Sequence, residues 1–396
     1  MSDNSPAHHA QLAQQYLPDA LLEQLRERAD RYDRDNAFFD EDLADLQATG
    51  YLSVLVPTEY GGPGLSLNEV SRLQQRLASA APATALAINM HLMCVGVVRV
   101  MHERGDTSMN FVFDEAKAGE IFAFGISEPA NDWVLQDSNS TATSTDDGGY
   151  RVSGVKIFTS LSPVWTRLIV HGRDANDETR LVYGFVRRDA EGVTISDDWD
   201  VMGMRASHSR ATILRDARMN PEHVARYVPV GQHPDLLVFA ITSCFQLLVA
   251  SVYAGVAHRA LELAAAGLHA RRSTKTGSSY AEIGEFRTRL ADAHMAYMAV
   301  PAQIETYCRD LDELVDHGAG WPLRLVSARV NASDAARRTA EVALQCAGGS
   351  GFSNSHELSR LMRDATASLF HPPSVDAARP MYAAALLDDE VHPVRR

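Results

Sequence analysis

The apolar period of this chain switches twice, and the two switches restrict the folds open to it. Up to about residue 120 the pattern is helical. Leu22, Leu25, Ala29 and Tyr32 fall on one helix face. Pro18 and Asp19 offer that helix a start, and Ser66 is placed to cap the helix after the break Tyr60-Gly61-Gly62-Pro63-Gly64. The run ALAINMHLMCVGVVRVM is apolar nearly all round and predicts a buried helix. From about 121 to 230 the period shortens. FAFGIS, YRVSGVKIF, TRLIVHG, RLVYGFVRR, GVTISDDW and RATILRDARM are short runs rich in Val, Ile, Phe and Tyr, separated by turn clusters such as DDGG. They predict six strands in a barrel or sandwich. From about 231 the helical pattern returns in four segments, 234–270, 278–316, 322–347 and 355–391, broken by TKTGSS, DHGAG and GGSGFSNS. Pro322 stands where a helix start tolerates its missing N–H. Long helices with short links predict an antiparallel bundle. The expected architecture is α+β: an N-terminal helical domain (1–120), a central β-barrel domain (121–230) and a C-terminal four-helix bundle (231–396).

Composition narrows the class. The chain has 396 residues, 45% of them apolar, which suffices for a sizeable core. Its formal charge of -14 argues against phosphate-dependent nucleic-acid binding and against anionic membranes. The four cysteines are scattered, without CxxC or metal spacing, and read as reduced thiols of a cytoplasmic protein. The first residues, MSDNSPAHHAQLAQQY, lack a basic n-region and an apolar h-region, and His8 and His9 are expected in a tail. No uninterrupted apolar run reaches the length of a membrane span. Neither a nucleic-acid nor a membrane partner is expected, and no metal site appears among the fifteen histidines.

Six short motifs occur in a telling order: VPTEYGGPGLS at 56–66, GISEP at 125–129, VSGVKIFTS at 152–160, MGMRAS at 202–207, QCAGGSGF at 345–352 and RLMRDA at 360–365. Together they resemble the acyl-CoA dehydrogenase superfamily over nearly the whole chain. The resemblance implies that family's fold, a flavin (FAD, with FMN possible) and a homotetramer. A flavin ring needs donors at its polar edges and an apolar or aromatic wall. By the family pattern GISEP and KIFTS wrap the ring, which nominates Ser127, Phe158 and Ser160. Gln345, Gly348 and Gly349 are nominated near the nucleotide, where glycine lets backbone approach closely. Taken alone, Phe158 reads as a core aromatic and the glycine pair as a helix–helix turn. Arg271 or Arg272, with Arg272 preferred, is nominated for the flavin pyrophosphate, although the family's Arg-x-x-Phe-Gly is not kept. Glu128 belongs to the SEP turn and is taken as structural.

The family's usual catalytic group is missing. A dehydrogenase of this kind removes a weakly acidic α-proton and needs a carboxylate of raised pKa over that carbon. Counting from RDA, the position of the usual Glu is Pro372. The alternative position, on the first bundle helix, is Phe245, and Tyr253 lies further along the same stretch. Asp376 lies four residues past the usual position; it reads either as a relocated base or as an ordinary helix-start Asp.

Histidines stand nearby instead. His371 precedes the two prolines, His91 lies in the apolar NMHLM segment, and Ser160 ends KIFTS. The trio resembles the flavin-dependent monooxygenases of the same fold, in which reduced flavin activates O2. That nominates His371, His91 and Ser160 as catalytic, with histidine able to donate or accept a proton near neutral pH. A lone His on an apolar helix is also commonly a satisfied core residue. MGMRAS and KIFTS look more like the dehydrogenase branch, and His208 has no evident role. The chain has no GxGxxG after a strand, so a separate flavin reductase is expected to supply electrons. The small-molecule substrate is expected to be aromatic or heteroaromatic. The alternative is an acyl-thioester enzyme with a relocated base.

Overall fold

Capping chemistry places the first helices in the computed structural model, which describes residues 5–388. The extreme ends of the first and third predicted domains, and of the predicted 355–391 segment, lie outside these residues. The N-terminal region holds α1 (Pro6–Tyr16), α2 (Asp19–Asp35), α3 (Asp40–Ala48), α4 (Leu67–Ala80), α5 (Pro82–His102) and α6 (Phe111–Lys117). Ser66 caps α4 in a capping box with Glu69, as its position predicts. A second cap comes from far away: the Asp312 carboxylate accepts from the Leu67 and Asn68 N–H groups, each at 2.9 Å. His8 and His9 lie within α1, not in a tail, and His8 Nε2 is 2.6 Å from Glu69. Helix α5 is buried almost throughout.

The β region carries eight strands: β1 (Phe122–Gly125), β2 (Thr141–Ser144), β3 (Tyr150–Lys156), β4 (Arg167–Asp174), β5 (Asp177–Arg187), β6 (Val193–Ile195), β7 (Thr212–Met219) and β8 (Val224–Pro229). They form one sheet in the order β6-β7-β3-β2-β4-β5-β8, with β1 parallel to β4. The sheet curls so that Gly184 of β5 meets the Met219 side chain of β7. The two strands beyond the predicted six, β2 and β8, carry weak apolar patterns: only Ala142 of β2 is buried, and β8 begins at a Pro221 turn.

The C-terminal region holds α7 (Leu236–Ala270), α8 (Gly284–Asp312), α9 (Trp321–Ala347), α10 (Glu357–Thr366) and α11 (Val375–Leu387). Asp235 caps α7 through the Leu237 and Val238 N–H groups. The fourth predicted segment is interrupted. A short turn at Ala367–Phe370 and the Pro372–Pro373 pair, joined by a cis peptide bond, separate α10 from α11. By length and composition alone α5 and α7 would pass for membrane spans, yet 94% and 72% of their apolar windows are buried in the fold.

Candidate flavin and substrate site

Three segments carry the motifs that bear on a cofactor and substrate site. The first is the end of β3. The Ile157 N–H donates to Ser127 O at 2.8 Å, which ties GISEP to KIFTS. Beneath that junction Lys156 Nζ lies wholly buried against Glu128 Oε1 at 2.6 Å and His171 O at 2.7 Å. Glu128 also accepts from the Ser138 and Ser140 hydroxyls and from the Asn139 and Ser140 N–H groups. Burial opposes the Glu128 charge, but the Lys156 cation and these donors win and bring its carboxyl down to about 2. Glu128 therefore holds the scaffold. Just past it, Phe158 takes a left-handed backbone (φ 56°) and is 56% exposed. A bulky residue in that region is strained. Phe158 is thus no core aromatic.

The second segment is the 200–210 loop. Ser160 Oγ is 2.6 Å from Ser209 Oγ, which is 2.8 Å from Ser207 Oγ, and all three serines are buried. Met204 N–H donates to Asp364 of α10, and the Arg363 guanidinium reaches Met202 O. Gly203 makes that docking possible: a Cβ there would stand 2.2 Å from Arg363 O. His208, without a role in the sequence reading, anchors the loop. Its Nε2 is 3.0 Å from Asn36 O at the end of α2, and its Nδ1 accepts from Arg210.

The third segment is the turn after α10, where both family positions for the base converge. Gln246 Nε2 donates to Pro372 O at 3.0 Å, and the Phe245 ring lies 6.2 Å from the His371 ring. Neither position carries an acid. Instead His371 Nε2 is 2.6 Å from the hydroxyl of Tyr253, which is wholly buried. Burial, with the Arg329 cation nearby, pushes the His371 imidazole down to about 3. Asp376 is remote from this chemistry. It lies in the first turn of α11, 86% exposed, paired with Arg379, and Ser374 is the cap.

The remaining nominated residues divide. His91 is not brought to His371 or Ser160 by any hydrogen bond among the described residues. Its Nε2 donates to Leu52 O at 2.8 Å and its Nδ1 accepts from Phe122 N–H at 3.1 Å. Both nitrogens are committed to backbone, so none is left for catalysis. Burial pushes this ring down to about 4. Arg271 is likewise committed. It stacks on Tyr280 and donates to Cys346 O at 2.6 Å, while Arg272 is exposed. Gly348 adopts φ 64°, ψ -151°, backbone that favours glycine, next to the Arg271 guanidinium. Gln345 and Gly349 are exposed on the same end of the bundle.

Models of the acyl-CoA dehydrogenase N-terminal, middle and C-terminal domains match residues 8–106, 123–217 and 247–372. The chain belongs to the acyl-CoA dehydrogenase superfamily. L-evernosamine nitrososynthase of Micromonospora sp. is 28% identical over 88% of this chain and 83% of its own. Dibenzothiophene monooxygenase of Rhodococcus qingshengii is 27% identical, over 89% and 88%. The structure of KijD3 in complex with FMN and a dTDP-amino-keto sugar superposes with a TM-score of 0.83 at 25% identity, covering 98% of this chain and 95% of that one. The superfamily member described here is a flavin-dependent oxidoreductase related to monooxygenases and nitrososynthases, and its cofactor is a flavin. The exposed Phe158, the Ser160 hydroxyl and the exposed Phe370 near the His371 turn suit a flat ring with polar edges. An amino-sugar-directed relative was not anticipated from sequence; nothing in the motifs distinguishes it from an aromatic hydroxylase.

Proposed function

We infer that this superfamily member is a monooxygenase that transfers oxygen to an electron-rich heteroatom of a small molecule, using flavin reduced by a separate reductase. One observation carries the reading. Both positions at which the superfamily places a proton-abstracting carboxylate lie against His371, and they hold Phe245 and Pro372. Oxygen transfer to a nitrogen or sulfur lone pair requires no α-proton abstraction, so the absence of a carboxylate is no handicap. Dehydrogenation of a thioester requires one. The nitrososynthase and dibenzothiophene relatives suit this substrate class. When bound, the flavin supplies the redox chemistry. Phe158, Ser127 and Ser160 would hold it, with Arg272, Gln345, Gly348 and Gly349 toward its phosphate end. His371, held by the buried Tyr253 hydroxyl, would present a neutral polar group to the substrate side. The reading carries with it a homotetramer in a reducing cytoplasm, which four buried free cysteines suit. Asp376 gives little support to the thioester alternative, because it is exposed in the first turn of α11 and held in an ion pair with Arg379 instead of lying against His371.

The test supplies reduced FMN from a purified reductase under isotopically labelled dioxygen, with dibenzothiophene, indole and an amino sugar as probes. Labelled oxygen in a product, reduced by His371→Gln, is expected. No label in any product, together with bleaching of the flavin by an acyl-CoA, would overturn the reading.

A further inference from the structure

The turn that carries His371 is gripped from two helices. Gln246 of α7 donates to Pro372 O and accepts from Arg329 Nε of α9 at 2.9 Å. A second Arg329 nitrogen donates to Pro373 O. Arg329 is wholly buried, and none of the ion pairs among the described residues includes it. It fixes the turn through neutral acceptors and leaves its positive charge unneutralised beside the His371 ring.

Tyr253 decides what that ring presents. Its hydroxyl carries one proton, is buried, and has His371 Nε2 as its hydrogen-bond partner. If Nε2 donated instead, the phenol proton would be left buried without an acceptor among the described residues, a costly arrangement. The satisfied arrangement has Tyr253 donating to a bare Nε2, and the ring proton then sits on Nδ1. His371 Nδ1 has no protein partner among the described residues, and the residue is only partly buried. Resting on the monooxygenase reading, we propose that Tyr253 is a positioning residue that locks His371 as the Nδ1–H tautomer, so that the ring meets bound ligand as a neutral hydrogen-bond donor and not as a base. The surroundings agree. Arg329 from α9 and burial oppose the imidazolium, Phe245 from α7 adds an apolar wall, and the buried Asp364 of α10 acts electrostatically on Tyr253, not on the ring. In the acyl-CoA dehydrogenases this part of the fold accepts a proton; here it would donate a hydrogen bond without changing charge.

The experiment uses the full-length, flavin-free protein labelled with nitrogen-15 histidine. His371→Gln assigns the His371 signals by their loss. Two-bond proton–nitrogen correlations are expected to show Nδ1 protonated and Nε2 bare, with the Nε2–H form appearing in Tyr253→Phe. A wild-type proton on Nε2 overturns the proposal, and that spectrum decides even if Tyr253→Phe does not fold. The second readout is reoxidation of reduced FMN in the loaded protein, followed by absorbance. Tyr253→Phe and His371→Gln are expected to change its rate in the same direction, by roughly tenfold, the worth of about one hydrogen bond. Rates equal to wild type in both overturn the assigned role. Because the tautomer is read without flavin or substrate, failure of this proposal is distinguishable from failure to incorporate labelled oxygen.

Discussion

Replacing His91 by Gln separates a core histidine from a catalytic one through the pH dependence of stability. In the folded chain His91 is neutral, with Nε2–H on Leu52 O and bare Nδ1 on Phe122 N–H. Protonation would set a donor against the Phe122 donor in a buried site, and the ring titrates at about 4 instead of the ordinary 6.5. The unfolded chain therefore takes up this proton first as pH falls. The stability is complete above about pH 7 and is lost progressively below it, down to about pH 4. At about 1.4 kcal/mol per pH unit, roughly 2 kcal/mol is gone by about pH 5. His91→Gln removes that titration at the cost of an imperfect replacement of two hydrogen bonds, about 1–3 kcal/mol at neutral pH. The variant should start less stable at about pH 7.5 and approach wild type at about pH 5. Urea unfolding by tryptophan fluorescence, at one protein concentration and a series of pH values, measures the gap. A gap that does not narrow would refute the buried neutral histidine. So would a variant of native stability whose oxygenation rate, corrected for folded protein, is a hundredfold lower.

Glu128→Gln should lower thermal stability strongly, because it leaves Lys156 buried without its carboxylate, a cost of about 3–5 kcal/mol; adding Lys156→Met should recover part of it, and scanning calorimetry of the single and double variants checks both. Asp376→Asn should leave turnover and stability near wild type, within about 0.5 kcal/mol, as for an exposed surface pair. A tenfold loss of turnover in that variant would return the relocated-base reading to contention.

Much of the scaffold was legible because local chemistry agreed with tertiary demand. Ser66 and Glu69 cap α4 within four residues of sequence, and Pro322 opens α9 where a proline fits. The hidden features are those whose partners lie far along the chain. The Asp312 cap on α4 comes from the end of α8, more than 240 residues away. The clamp of Gln246 and Arg329 on Pro372 and Pro373 draws on α7, α9 and a turn. Strands β2 and β8 were missed because one lacks apolar alternation and the other follows a proline turn.

The two nominated histidines show why residue type and neighbourhood are not enough. Both sit in apolar surroundings, and both are held neutral by burial. His91 has a backbone partner for each nitrogen, which leaves it structure and nothing else. Among the described residues His371 has a partner for only one, and that partner is a tyrosine whose single proton must go somewhere. The sequence carried a signal for this: Tyr253 stands two helical turns beyond Phe245, on the helix where some superfamily members carry their base. A tyrosine on an apolar helix reads as core until its hydroxyl is asked for a partner, and here the partner available is the histidine that replaces the missing acid's neighbourhood.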